Sequence, residues 1–189
     1  MKKIVALLLP LCMILSLSAC GRDYTAPDGF KQASNDEYCD YVLYVPSAWN
    51  TESAASNLTT ASIPVGESGL TVSVAKLETR YADAEGNPIN TVQDYWESCK
   101  GDYDYLINST ADQAKGEAVT LGTGLEDAKK TGYRYVFSGD YGTTGYTFAQ
   151  VFVLNGGDLY CITMTVKTAH YTEETMTSFN EILSYFAFK

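Results

Sequence analysis

The run YTFAQVFVL, Tyr146 to Leu154, limits what this 189-residue chain can fold into more than any other stretch. It is rich in β-branched and aromatic residues, and both of its alternating sets are largely apolar. Phe148, Phe152 and Leu154 fall on one side, and Ala149, Val151 and Val153 on the other. In a strand, successive side chains point to opposite faces, so this one is buried on both. Such a strand needs a covering layer above and below it, which predicts helices on both sides of a sheet.

Its neighbours complete the sheet. Tyr133 to Ser138 and Leu159 to Val166 also read as strands, joined to the middle run by DYGTTG and by Asn155-Gly156-Gly157-Asp158. The second connection is a strong hairpin signal, and the three runs form an antiparallel meander. Upstream, Tyr38 to Pro46 is a strand ending in a turn on which Trp49 folds back, and Gly69 to Tyr81 alternates as a long strand. A weaker strand is expected near Ile63 and a short one from Ala118 to Gly122, with a loop or short helical turn at Ser53 to Ser56. Thr91 caps a helix through Cys99, whose Val92, Tyr95, Trp96 and Cys99 share one face. The closing segment reads as a helix capped by Thr172, with Met176, Phe179, Ile182, Leu183 and Phe186 as its apolar stripe. Residues 101–118 give no decisive pattern.

The first twenty residues set the compartment. Lys2 and Lys3 precede an apolar run from Ile4 to Leu17, too short to span a bilayer core of ~20 residues and broken by Pro10. Leu17-Ser18-Ala19-Cys20 resembles the bacterial lipobox over all four positions. That resemblance implies cleavage after residue 19, a diacylglyceryl thioether on Cys20, and a mature protein on the outer face of the cell membrane. Two acyl chains suffice for stable anchoring where one is marginal. Residues 1–19 are then a lipoprotein signal peptide, 20–37 the lipidated N-terminus and a flexible tether, and 38–189 a single domain, with Phe30 as the one tether residue apolar enough to pack on it.

Removing Lys2 and Lys3 leaves 11 basic residues against 23 acidic ones, a formal charge of −12. Such a surface repels phosphate backbones and anionic headgroups, so nucleic acid is excluded as a partner and the lipid, not charge, is the tether. Beyond Cys20 three cysteines remain, Cys39, Cys99 and Cys161. One pair could bridge in an export compartment, but the odd count leaves a free thiol, and burial as small apolar side chains is the simpler reading. The sequons at Asn57 and Asn108 are expected to be bare in a bacterial chain.

Three patterns resemble catalytic or metal motifs and fail on geometry. Ser73 and Lys76 match S-x-x-K, with Lys130-Thr131-Gly132 as K-T-G. On a strand, however, an offset of three sends Ser73 and Lys76 to opposite faces. Asp83, Glu85 and Asn87 begin a loop like an EF-hand that would end at Asp94, but Pro88 stands where glycine must make the sharp turn. Cys161 and His170 could make a nucleophile pair, yet nothing brings them together and no third residue orients them. No G-x-S-x-G, H-E-x-x-H or phosphate loop occurs. The chain reads as a non-enzyme with no cofactor and no metal.

The opening strand YVLYVPSAW, the helix VQDYW, the tyrosine-rich meander and the closing FNEILSYFAF, in this order, resemble the PsbP-like and DcrB-like proteins of the Mog1p/PsbP-like fold. The likeness runs from Phe30 to Phe188, and the family includes many short bacterial lipoproteins. It implies an α+β fold in which a central antiparallel sheet of about six strands is sandwiched between helices. It also implies a non-catalytic role, although no partner or metal ligand of the family maps onto these residues. The expected function is a lipid-anchored extracytoplasmic domain that binds or supports another envelope protein, with Tyr103 and Tyr141 as surface contacts. The alternative is a module for a small ligand such as a glycan, peptide or cation, because tyrosine offers a stacking face and a hydroxyl together.

Overall fold

The computed structural model describes residues 24–53, 58–63, 68–77, 86 and 89–189. Cys20 and its leader lie outside these residues, as do Asp83, Glu85, Asn87 and Pro88. Along the chain run β1 (Phe30–Gln32), β2 (Tyr41–Pro46), β3 (Asn50–Ser53), β4 (Leu58–Ser62), β5 (Thr71–Leu77), α1 (Val92–Cys99) and β6 (Glu117–Leu121). Then follow β7 (Lys130–Tyr141), β8 (Thr144–Asn155), β9 (Asp158–Lys167), α2 (Glu173–Ser184) and β10 (Phe186–Phe188). The fold is α+β, built on one antiparallel sheet of seven strands in the order β3-β4-β5-β9-β8-β7-β6.

The middle run is β8, and it is covered on both faces. On one face Ala149, Val151 and Val153 join Val72, Val74, Ile162, Met164 and Val166 beneath Phe179, Ile182 and Leu183 of α2. On the other, Phe152, Cys161, Tyr135 and Phe137 meet Val92, Tyr95, Trp96 and Cys99 of α1. The β8–β9 hairpin turns at Gly156 and Gly157, with φ of 61° and 94°. This pair of positive values is the geometry that glycine supplies without steric cost and that matches strand twist.

Both helices begin where their caps predict. Asp94 N donates to Thr91 Oγ1 at 3.1 Å while Thr91 N donates to Asp94 Oδ2 at 3.0 Å. Asp94, the far end of the EF-hand-like pattern, is therefore engaged in a capping box, and these bonds, with Thr91 foremost, hold its carboxyl below the usual range. Thr172 and Thr175 cap α2 in the same reciprocal way.

The seven-stranded main sheet matches the expected antiparallel sheet of about six, and β2 stands outside it, in a second sheet of three between β1 and β10. Five consecutive buried residues, Tyr41 to Val45, explain this. Tyr41, Leu43 and Val45 face the main core, while Val42 and Tyr44 pack with Ala187 beneath Tyr24, Leu125 and Tyr185. The tether is shorter than 20–37, because Phe30 to Gln32 pair with Tyr44 to Pro46. Finally, Phe186 does not extend the helical stripe. α2 stops at Ser184, and Phe186 sits in β10, where its ring stacks on Tyr41 at 5.6 Å and a β-favouring Phe-Ala-Phe pairs with β2.

Candidate functional site

The face of the sheet beneath α1 carries a polar row in an otherwise apolar layer. Tyr135, Gln150, Thr163 and Ser73 stand directly opposite one another on β7, β8, β9 and β5. Gln150 is the one amide in the apolar run, and it is buried. Its carboxamide accepts a bond from Tyr103 Oη at 2.7 Å and donates to Thr163 Oγ1 at 3.4 Å. Thr163 Oγ1 also lies 3.3 Å from Cys161 Sγ. Above this row is a cavity of about 220 Å³ whose floor includes Ser73, Gln150, Cys161 and Thr163 and whose far wall is Tyr95, Cys99, Asp102 and Tyr103. Tyr103 follows α1 on a 3₁₀ turn (Lys100–Tyr103), held there by stacking on Trp96 at 5.9 Å and packing on Phe137 at 4.7 Å.

Further along the same face is a second concavity of about 230 Å³, lined by Tyr105, Leu106, Tyr141, Tyr146, Phe148 and Thr165. Around it three large apolar side chains are left in solvent: Tyr105 is 65% exposed, Ile107 58% and Tyr141 70%. The segment is pinned to the sheet by a bridge between Ile107 and Asp140, with N–H to O distances of 3.0 and 2.7 Å. Asn108 adds a side-chain bond to Asp140 at 2.9 Å.

The two tyrosines singled out from sequence therefore have different places. Tyr141 is an exposed surface side chain. Tyr103 is half-buried, with its hydroxyl turned onto Gln150, and walls a cavity instead of projecting from the surface. The three cysteines are free thiols and buried. Ser73 and Lys76 lie on opposite faces as expected: Ser73 lines the cavity, while Lys76 Nζ is 2.7 Å from Asp158 and 3.4 Å from Asp40. His170 closes a 3₁₀ turn (Thr168–His170) before α2, and Cys161 is bonded to Thr163. The polar row itself escaped the sequence reading. Its only signal was a lone glutamine within an apolar set.

Burial governs the titration of this region. Desolvation pushes the Tyr135 hydroxyl up to about 12 and the Cys161 thiol up to about 12, and it raises Tyr41, Tyr103 and Tyr160 as well. The unfolded chain releases these protons near 10 for tyrosine and 9 for cysteine. Between those values and 12 the unfolded state binds fewer protons, so stability falls as pH rises. Urea midpoints are expected to hold steady up to about pH 9 and then decline towards about pH 12, in step with the appearance of tyrosinate absorbance. Midpoints that stay flat across this window would contradict the assignment.

No family model matches the chain, and no curated protein matches it. Solved structures similar to it include a Pseudomonas aeruginosa protein of unknown function, PA94. That protein is 11% identical, with 82% of this chain and 94% of that one covered at a TM-score of 0.49. The cyanobacterial PsbP of Synechocystis is also among them. It is 16% identical, covering 91% of this chain and 99% of its own, with a TM-score of 0.43. LpqN of Mycobacterium tuberculosis, described as involved in cell envelope biogenesis, is 16% identical over 88% of this chain and 98% of that one, with a TM-score of 0.44. The PsbP-like resemblance of the sequence thus has a PsbP among its structural neighbours. At such identities and scores no partner or activity passes from them to this chain.

Proposed function

We propose that the chain is a lipid-anchored, extracytoplasmic, non-catalytic domain that docks another envelope protein. The observation that carries this reading is the exposed apolar face of Tyr105, Ile107 and Tyr141 around a concavity floored by Phe148 and Leu106. Exposed apolar patches of this kind, built around a pocket, are where partner side chains insert, and tyrosine is enriched among the residues that dominate such contacts. The lipobox at Cys20 supplies the anchor and the compartment. Lack of a recognisable catalytic motif in the sequence favours binding over chemistry.

The test is crosslinking of the native, membrane-displayed protein, followed by replacement of Tyr105 and Tyr141 by serine. Each substitution is expected to weaken the captured association by about 2 kcal/mol, while the thermal midpoint of the domain changes little because both side chains are largely solvated. Capture that survives the double substitution undiminished would place the partner's contact elsewhere. Metabolic labelling with a fatty acid, lost in Cys20→Ala, checks the anchor separately.

A further inference from the structure

We propose that the cavity between α1 and the sheet binds one neutral, hydroxylated ring, of the size of a single hexose or N-acetylhexosamine unit. Its first support is the polar row. Burying the Gln150 amide beneath a helix costs stability that an apolar side chain would not. Aliphatic side chains at Ser73, Gln150 and Thr163 would complete the layer that Phe148 and Phe152 begin. Instead the row ends in Ser73, half-buried and with no side-chain partner among the described residues, beside Thr163, also half-buried, whose hydroxyl meets Gln150 and Cys161. Both side chains line the cavity.

The chemistry of the wall selects the ligand class. Ser73, Thr163, Gln150 and Tyr103 are neutral groups that both donate and accept, as hydroxyl recognition requires. Tyr95 and Phe152, with ring centroids 5.7 Å apart, also line the cavity and supply aromatic surface for the C–H groups of a sugar ring. Among the described lining residues there is no lysine, arginine or histidine, and the one charged group is the exposed carboxylate of Asp102. A second negative charge beside that carboxylate is disfavoured. A cavity of about 220 Å³ is also smaller than the ~300–1,000 Å³ typical of drug-sized sites, which limits the occupant to a single ring.

The cavity shares no lining residue with the concavity beside Tyr141, so this inference and the docking reading can fail independently. The test uses the full mature chain with N-acetylglucosamine as the neutral probe and N-acetylglucosamine 1-phosphate as the anionic one. The neutral sugar is expected to saturate with a Kd on the order of 1 mM and to raise the melting temperature with concentration. The phosphate ester should bind about tenfold more weakly, with Asp102→Asn narrowing that gap. Ser73→Leu, which fills the cavity, should abolish sugar binding while Tyr105→Ser and Tyr141→Ser leave it unchanged. If Ser73→Leu does not melt cooperatively, Thr163→Val replaces it, with an expected loss of about tenfold from one missing hydroxyl. No saturable binding of the neutral sugar, equal binding of the phosphate ester, or unchanged affinity in the folded cavity variant would each overturn the proposal.

Discussion

Trp96→Ala is expected to lower the unfolding free energy by about 4 kcal/mol, the scale of deleting a fully buried aromatic side chain. Trp96 is 1% exposed and is the hub of the layer between α1 and the sheet. Its ring stacks on Tyr135 at 4.3 Å and on Tyr103 at 5.9 Å, and it packs against Phe137 and Phe152 at 5.6 and 6.0 Å. Those partners are themselves buried or half-buried in an interlocked set, so they cannot collapse into the space the indole leaves. For a domain of this size the loss corresponds to a fall of ~12 °C in the thermal midpoint. Trp96→Phe should cost less than half as much. The indole N–H has no hydrogen-bond partner among the described residues, so phenylalanine loses volume but no bond. A urea titration of the three proteins decides it. Near-equal midpoints for the wild type and Trp96→Ala would mean that α1 contributes little to the packing of this face.

A larger loss is expected from removing residues 186–189. Phe186 and Ala187 are buried, and β10 is paired along its length with Tyr41 to Leu43. Deletion takes two aromatic rings from the main-core side of the small sheet, where Phe186 stacks on Tyr41 and Phe188 meets Tyr160 at 4.8 Å, and takes Ala187 from its other side. It also exposes the backbone of β2 on one edge. Losing Phe186 alone is worth about 4 kcal/mol, and three ladder pairs and a second ring add to that. The sum approaches the ~5–15 kcal/mol that separates folded from unfolded domains. The truncated chain is expected to show no cooperative melt and to bind a hydrophobic dye while retaining far-ultraviolet signal. A cooperative transition within a few degrees of the wild type would show that the small sheet is dispensable.

How much of this was legible beforehand follows from the range of the forces involved. The meander, the NGGD hairpin, both caps and the two-sided burial of β8 come from local chemistry: turn residues, hydroxyl caps and alternation over a few residues. The sandwich follows from them. What the sequence did not disclose is non-local pairing. Tyr41 to Val45 reads as a strand either way, and only the arrival of Phe186 to Phe188 from the other end of the chain decides which sheet it joins. The spacing of Phe186 from Ile182 and Leu183 fits a helical stripe as well as it fits the strand that Phe186 adopts. The same gap hid the cavity. Gln150 and Thr163 face each other across the legible NGGD hairpin, but Ser73 and Tyr103 lie far from both in sequence, and nothing in their own neighbourhoods announces that they meet this pair. Tyr103 looked like a surface tyrosine because its partner Gln150 is equally remote.

The pairing of β2 with β1 on one edge and β10 on the other also bears on when the chain can fold. The central strand of the small sheet is made soon after β1, but its other neighbour, β10, lies far downstream of both. Until then Tyr41 and Leu43 lack the cover that Phe186 provides, and closing so long a loop is slow. A nascent chain of this kind leaves β2 uncovered on that edge until β10 has been made.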